Sequence, residues 1–234
     1  MTSRPGALTP SPLGYVATPA DGSGSPVLIV HSWWGLTASF ERFADQLAAN
    51  GHLAGCVDLF GGQIASTEQE ARRLRTVRRV EPAYQLCRRS LDELAGHPRA
   101  DGSAPAVVGF SMGGHWAVWL AQHPPPCVAR VVLYYAARGG DFAAASTPVL
   151  AHFADHDTFV STSARRTMER AIARRGLAYE AFEYPGTGHW FAESDHRAFD
   201  RVAASAAYER TVSFLAAGTT LGAEPNSTGR PQRN

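Results

Sequence analysis

Several features are scarce in this 234-residue sequence, and each scarcity excludes a class of function. The three cysteines, Cys56, Cys87 and Cys127, are too few and too scattered for a disulfide framework or a cysteine-rich zinc site. All 22 basic residues are arginine, so a lysine Schiff base is excluded. The formal net charge is only +1, which argues against a nucleic-acid-binding protein and against an acidic solvating tail.

Long hydrophobic runs are also missing. The longest strongly apolar stretch, around residues 131–137, is far shorter than a membrane span. Residues 1–19 contain proline and serine where a secretory signal needs an unbroken apolar segment. We therefore expect a cytoplasmic protein that does not contact a membrane.

The remaining composition is typical of one globular domain. Hydrophobic residues make up 44% of the chain, and a chain of this length buries roughly 70–75% of its unfolded surface, enough for a core without disulfides. The ends are polar and rich in turn residues. They predict a disordered N-terminal tail over residues 1–12 and a disordered C-terminal tail over residues 218–234, with the folded domain over residues 13–217.

Within the domain, short apolar runs alternate with helical patterns. Strands are predicted at residues 27–31, 52–59, 106–110, 129–136, 148–154 and 178–184. Helices are predicted at residues 38–49, in two segments from a Thr67–Glu70 capping box to about residue 95, at 113–122, from a Ser163 cap to 176, and at 196–216. This alternation predicts an α/β fold with a mostly parallel sheet flanked by helices on both faces. Functional residues in such sheets follow the carboxyl ends of the strands.

A G-x-S-x-G motif lies between an apolar strand and a helix, at Gly109-Phe110-Ser111-Met112-Gly113. In that context the motif forms a tight turn that exposes the serine above the sheet, which predicts Ser111 as a nucleophile. Glycine is needed in the motif because a side chain would collide across the turn. The alternative is a glycine-rich phosphate-binding loop. It is disfavoured because its usual motif contains a lysine, and this chain has none.

A serine hydroxyl needs a base, and His189 is the predicted one. Of the nine histidines, it lies in the loop after the last predicted strand, among small turn residues. Asp155 and Asp157 end the preceding strand and could each orient the imidazole. We favour Asp157, which lies farther into the loop. The chain order Ser111, Asp157, His189 is that of α/β-hydrolases.

The oxyanion hole is predicted at the backbone N–H groups of Met112 and of Trp33, in the turn after the first predicted strand. Trp116, on the helix after the motif, is expected in the core. An apolar substrate pocket is predicted from aromatic residues at Trp34, Phe60, Phe159, Trp190 and Phe191. A metal site within residues 152–157 is disfavoured because neighbouring strand residues point to opposite faces, so no metal or cofactor is expected.

Five blocks of the sequence resemble the dienelactone hydrolase family, an α/β-hydrolase group that includes the carboxymethylenebutenolidases. They are residues 31–36 (HSWWGL), 109–114 (GFSMGG), 152–160 (HFADHDTFV), 188–191 (GHWF) and 207–211 (AYERT). The resemblance covers about residues 14–216 and implies the α/β-hydrolase fold and acyl chemistry. It also implies Asp157 as the acid, since the family's D-x-F-V block falls there, and Trp33 and Met112 as the oxyanion donors.

Three positions depart from the family pattern. The family's usual nucleophile is cysteine, where this chain has Ser111, and its usual glutamate that holds the resting thiol is replaced by Ser32. These two changes agree with each other, because a hydroxyl is not stored as an anion in the way a thiolate is. Glu193 replaces an arginine that holds the substrate carboxylate, and a second family arginine falls within residues 72–79. Glu193 therefore predicts uncharged substrates.

Three functions are consistent with the sequence. The favoured prediction is a serine hydrolase that cleaves small esters or lactones through a Ser-Asp-His triad and an acyl-enzyme, as a monomer or weak dimer. The second is a dienelactone hydrolase proper, in which an arginine within residues 72–79 meets the substrate carboxylate. The third is a catalytically silent α/β-hydrolase that acts as a binding module, since fold alone does not determine function.

Overall fold

The computed structural model describes residues 11–77, 80–124 and 127–217. The strands are β1 (Leu13–Ala17), β2 (Ser25–Val30), β3 (His52–Val57), β4 (Ala106–Phe110), β5 (Val131–Tyr134), β6 (Val149–His156) and β7 (Tyr179–Gly188). The helices are α1 (Ala38–Ala49), α2 (Glu68–Val77), α3 (Val80–Ala95), α4 (Met112–Gln122), α5 (Thr162–Arg175) and α6 (Arg201–Ala216). Nearly all of the two predicted tails, residues 1–10 and 218–234, lies outside the described residues.

The described strands form a seven-stranded sheet in the order β1-β3-β2-β4-β5-β6-β7. β1 pairs antiparallel with β3, and the other neighbouring pairs run parallel. The prediction of an α/β fold with a mostly parallel sheet is confirmed. Because β2, β4, β6 and β7 run in the same direction, their carboxyl ends meet along one edge of the sheet, where functional residues of such folds lie.

Helices cover both faces of the sheet. A side chain on Gly109 of β4 would collide with the backbone of α4. The next residue, Phe110, instead packs against Phe40 and Phe43 of α1, each at a ring-centroid distance of 5.1 Å. Since successive strand residues point to opposite faces, α1 and α4 lie on opposite sides of the sheet. α6 lies on the α1 side, where Tyr208 contacts Phe43 at 5.4 Å.

Local signals set several element boundaries. Thr67 and Glu70 form the predicted capping box at the start of α2, since each backbone N–H is bonded to the other side chain. α5 is capped by the hydroxyl of Ser161 rather than the predicted Ser163. α6 begins five residues later than predicted because the Asp200 side chain accepts a backbone N–H from its first turn. Among the described residues, no helix combines the length and apolar character needed to cross a membrane.

Candidate active site

Ser111 occupies a strained turn between β4 and α4. Its backbone angles, φ 51° and ψ −112°, lie in a region that residues other than glycine rarely adopt. A Cβ on Gly113 would lie 2.0 Å from the Val30 carbonyl oxygen, so only glycine lets this turn pack against the end of β2. The motif therefore forms a sharp strand-to-helix turn at the carboxyl end of β4, as its context predicts.

Three side chains from separate strand ends meet at this turn. Ser111 Oγ lies 2.7 Å from Nε2 of His189, which directly follows β7. Nδ1 of His189 lies 2.9 Å from each carboxylate oxygen of Asp157, which directly follows β6. The His189 and Asp157 side chains are 3% and 0% exposed, so water is excluded from their contact. This arrangement allows an imidazole to take the proton of a serine hydroxyl.

The turn after β6 favours the anionic form of Asp157. Burial would raise the pKa of this carboxyl, but hydrogen bonding and charge from His189, together with hydrogen bonds from the backbone, outweigh it. The backbone N–H groups of Val160 and Phe159 also donate to the carboxylate. The pKa of Asp157 is therefore below its ordinary value. A buried anion beside Nδ1 favours the tautomer in which Nε2 is free to accept a proton.

The other polar residues of β6 face elsewhere. Asp155, the alternative acid, accepts a hydrogen bond from the Gly186 N–H at 3.1 Å. His152 points into the core, where its ring nitrogens contact the Tyr184 hydroxyl at 2.9 Å and the Thr211 hydroxyl at 3.1 Å. His152 therefore lies in the core, whereas Asp155 contacts His156 at 3.6 Å and Asp157 contacts His189, so these side chains do not converge on one point.

The two predicted oxyanion donors lie on segments that flank Ser111. Met112 is the first residue of α4, and the first N–H groups of a helix have no carbonyl partner within it. Trp33 lies in the turn after β2, where the His31 carbonyl oxygen closely approaches Gly113. Both residues also line the cavity onto which Ser111 opens.

Ser111 and His189 open into a cavity of about 580 Å³. Two of the predicted pocket residues, Phe159 and Trp190, line it. The other lining residues are Trp33, Leu59, Arg75, Val80, Tyr84, Met112, His115, Trp116, Tyr135, Arg138 and Val160. A cavity of this volume with mixed apolar and polar walls suits a small organic molecule.

Three predicted pocket residues lie elsewhere, so the pocket prediction is corrected at these positions. Phe191 is 0% exposed and lies in the core. It follows Trp190, whose positive φ of 68° changes the chain direction so that the Phe191 side chain points away from the cavity. Phe60 is buried against the His31 ring, with 5.1 Å between ring centroids. Trp34 packs edge-on against Trp190 and borders a separate cavity. Loop residues like these do not follow the regular alternation from which side-chain direction can be predicted.

Three residues that line the cavity, Trp116, Arg138 and Arg75, are not among the five predicted pocket residues. Trp116 was expected in the core, but it is half-buried and lines the cavity. Arg138 follows β5 and Arg75 lies on α2, so two guanidinium groups border the cavity. Of the described residues that line it, none is acidic. The position of Arg138 just after a strand of the parallel sheet was an available signal. Arg75 lies within residues 72–79, the segment from which the second of the three functions expects a carboxylate-binding arginine.

Glu193 is buried behind the cavity instead of facing it. Its side chain accepts hydrogen bonds from the Ser32 hydroxyl at 2.9 Å and from the Tyr135 hydroxyl at 3.0 Å, and the residue is 1% exposed. Burial raises the pKa of its carboxyl to about 8, although the two hydrogen bonds act in the opposite direction. The premise that the Glu193 carboxyl faces the substrate is therefore wrong, because it does not line the cavity, while the expectation of uncharged substrates stays a prediction.

The fold and the chain order of Ser111, Asp157 and His189, each at the carboxyl end of a parallel strand, define an α/β-hydrolase. The chain belongs to the dienelactone hydrolase family, whose sequence model matches residues 13–218. Membership in this family identifies it as a carboxylic ester hydrolase of small esters or lactones.

Known proteins are similar to this chain along most of its length. The carboxymethylenebutenolidase of Rhodococcus opacus is 25% identical over 229 residues, covering 90% of this chain and 88% of the relative. The carboxymethylenebutenolidase of Pseudomonas putida is 26% identical over 218 residues, covering 86% of this chain and 89% of the relative. A crystal structure of a dienelactone hydrolase-like promiscuous phosphotriesterase from metagenomic libraries has a TM-score of 0.74 at 18% identity, covering 84% and 87% of the two chains. This last likeness concerns the fold alone.

Proposed function

We propose that this chain is a serine hydrolase that cleaves small esters or lactones through Ser111, His189 and Asp157, with a covalent acyl-enzyme. The observation that carries the proposal is the 2.7 Å separation between Ser111 Oγ and His189 Nε2. A hydroxyl is a weak nucleophile on its own, so a serine in place of the family's usual cysteine depends on such a base. The buried carboxylate at 2.9 Å from the other ring nitrogen supports the same assignment.

In the first half-reaction, His189 Nε2 takes the hydroxyl proton as Ser111 Oγ attacks the carbonyl carbon. The carbonyl oxygen becomes an oxyanion and accepts hydrogen bonds from the N–H groups of Trp33 and Met112. Asp157 orients the imidazole and stabilises its positive charge. The carbon–oxygen bond to the alcohol then breaks, the alcohol oxygen takes the proton from His189, and the acyl group remains on Ser111. In a lactone, the alcohol stays attached to the acyl group.

The second half-reaction repeats these steps with water. The oxygen of a water molecule attacks the acyl carbonyl carbon while His189 accepts a proton from that water. The same two N–H groups stabilise the oxyanion. The bond to Ser111 Oγ breaks, and Oγ recovers its proton from His189. The products are the free acid and the unmodified enzyme, so the reaction needs no co-reactant besides water.

Labelling by a fluorophosphonate probe tests the nucleophile. The wild-type chain should be labelled, because the probe reacts with an activated serine, and Ser111→Ala should remain unlabelled. Ser103→Ala is the matched control, since Ser103 is an exposed serine in the turn before β4, and it should be labelled like wild type. The same preparations are assayed with short-chain nitrophenyl esters. A folded wild-type chain that is neither labelled nor active would favour the silent binding module.

A second candidate is supported by the charges in the cavity: hydrolysis of a carboxylate-bearing lactone, as in dienelactone hydrolase proper. Arg138 and Arg75 both line the cavity, and no acid does among its described lining residues. An arginine binds a carboxylate through charge-assisted hydrogen bonds. The sequence argued against a carboxylate-bearing substrate because of the acidic Glu193, but this side chain is buried and does not line the cavity. Arg138, which is half-buried, is better held in place than the exposed Arg75.

Two esters of equal chain length separate the candidates: nitrophenyl butyrate and the mono-nitrophenyl ester of succinic acid. If the cavity binds an anion, Arg138→Gln should lower kcat/KM for the succinate ester by about 10- to 100-fold, the equivalent of a lost charge-assisted hydrogen bond. The butyrate ester should change by less than about threefold. Arg130→Gln is the control, because Arg130 packs on Phe214 and does not line the cavity. An equal loss on both esters would contradict a carboxylate-binding role for Arg138.

A further inference from the structure

We propose that Glu193 is a positioning residue; this inference rests on the proposed function. Its carboxyl holds in place the turn after β2 that carries Trp33 (the oxyanion loop) and Tyr135, whose ring packs against the His189 imidazole. At the position where the family resemblance implies a substrate-binding arginine, this chain has a carboxyl that is buried and hydrogen-bonded within the protein. Glu193 lies four residues after His189, on the loop that also carries the proposed base. Its backbone N–H donates to the Trp190 carbonyl at 3.0 Å, which fixes it within that loop.

One oxygen of the Glu193 carboxyl acts on the loop that carries the proposed Trp33 donor. Ser32 Oγ donates to Glu193 Oε2 at 2.9 Å and accepts from the Trp34 N–H at 3.4 Å. The two residues on either side of Trp33 are therefore tied together and anchored to one buried acceptor. Because the Trp33 N–H lies between these anchors, its direction depends on them. An oxyanion donor is effective only when its N–H already points at the developing charge.

The other oxygen of the Glu193 carboxyl acts on Tyr135, the residue packed against the His189 ring. The Tyr135 hydroxyl donates to Glu193 Oε1 at 3.0 Å, and the Tyr135 ring lies 4.9 Å from the His189 ring. Tyr135 has a positive φ of 40°, an unfavourable conformation for a bulky residue that the surroundings must hold. Glu193 therefore connects the oxyanion loop, the loop of the base and the residue packed against the base.

The position needs two acceptors because two buried hydroxyls point at it. A carboxyl offers an oxygen to each of them. A leucine would fill a similar space but leave both hydroxyls without an acceptor, and a glutamine keeps a single acceptor oxygen. The proposal therefore predicts a graded series, with glutamine between glutamate and leucine.

The test measures kcat and KM of Glu193→Leu, Glu193→Gln and Ser32→Ala with a neutral nitrophenyl ester, per site titrated by the fluorophosphonate probe. Glu193→Leu should lower kcat by about 10- to 100-fold with KM changed by less than about threefold, because donors aimed at the oxyanion act in the transition state. Ser32→Ala should show the same pattern to a smaller extent. The Ser32→Ala/Glu193→Leu double variant should be no slower than Glu193→Leu, because both changes break one connected set of hydrogen bonds.

The matched control is Thr211→Val, which removes a fully buried hydroxyl that contacts Tyr134 and His152. It should lower the unfolding temperature and leave kcat per titrated site unchanged. An unchanged kcat in Glu193→Leu would overturn the proposal, and if that variant does not fold, an unchanged kcat in Ser32→Ala does so. Failure of the proposed function would be seen separately, as a wild-type chain that neither turns over ester nor reacts with the probe.

Discussion

Ser111→Ala is expected to lower kcat for nitrophenyl esters by about 10⁶-fold, the loss found when a serine hydrolase is deprived of its nucleophile. Alanine keeps the Cβ of serine, so the strained turn at φ 51° remains and its glycine contacts are unchanged. Among the described residues, the hydrogen-bond partner of the Ser111 hydroxyl is His189, 2.7 Å away. We therefore expect the unfolding temperature to stay close to that of wild type while activity disappears.

The measurement is steady-state turnover together with thermal unfolding of the same preparation. Ser103→Ala, changed at the exposed serine already used as the labelling control, should keep the activity of wild type. Residual activity in Ser111→Ala within about tenfold of wild type would mean that another group attacks the carbonyl, and the mechanism proposed here would then be untenable.

Asp157→Asn is expected to lower kcat by about 10⁴-fold, the size of the loss when the triad carboxylate of a serine protease becomes an amide. The carboxylate accepts from His189 Nδ1 and from the backbone N–H groups of Phe159 and Val160. An amide has one acceptor oxygen, and its NH₂ group would stabilise the wrong imidazole tautomer. It also removes the negative charge that stabilises the imidazolium.

Asp155→Asn is the matched comparison, because it makes the same chemical change two residues away. The Asp155 side chain is 37% exposed and bonds the Gly186 N–H, so its loss should change kcat by less than about threefold. Both variants are assayed with the same ester and checked for folding by circular dichroism. A larger loss at Asp155 than at Asp157 would contradict the choice of acid.

Much of the fold could be predicted from local patterns. Buried parallel strands are short apolar runs, and the helices between them keep one apolar face, so both leave a periodic signal. The candidates Ser111, Asp157 and His189 could be located because each directly follows a strand, and parallel strands end at one edge of the sheet. β1 was not predicted: it is a five-residue edge strand, LGYVA, whose exposed positions carry glycine and valine, so no alternation of polar and apolar side chains marks it in the sequence.

The choice between Asp155 and Asp157 could not be made from local sequence patterns. Both follow the same apolar run, and strand alternation cannot separate two residues spaced by two positions. The structure separates them through the register shift between Ala154 and His156, after which Asp157 enters a turn whose N–H groups hold it beside His189.

The sequence by itself determined the class of fold, the order of the three polar residues at the strand ends, and the glycines that let the serine turn pack closely. These properties depend on periodicity and on residue type at fixed spacing. Only the tertiary structure decided that Phe191 lies in the core, that Trp116 and Arg138 face the cavity, and that Glu193 turns towards Ser32 and Tyr135. Such outcomes depend on backbone angles in loops and on contacts between segments far apart in the chain, and neither leaves a periodic trace in the sequence.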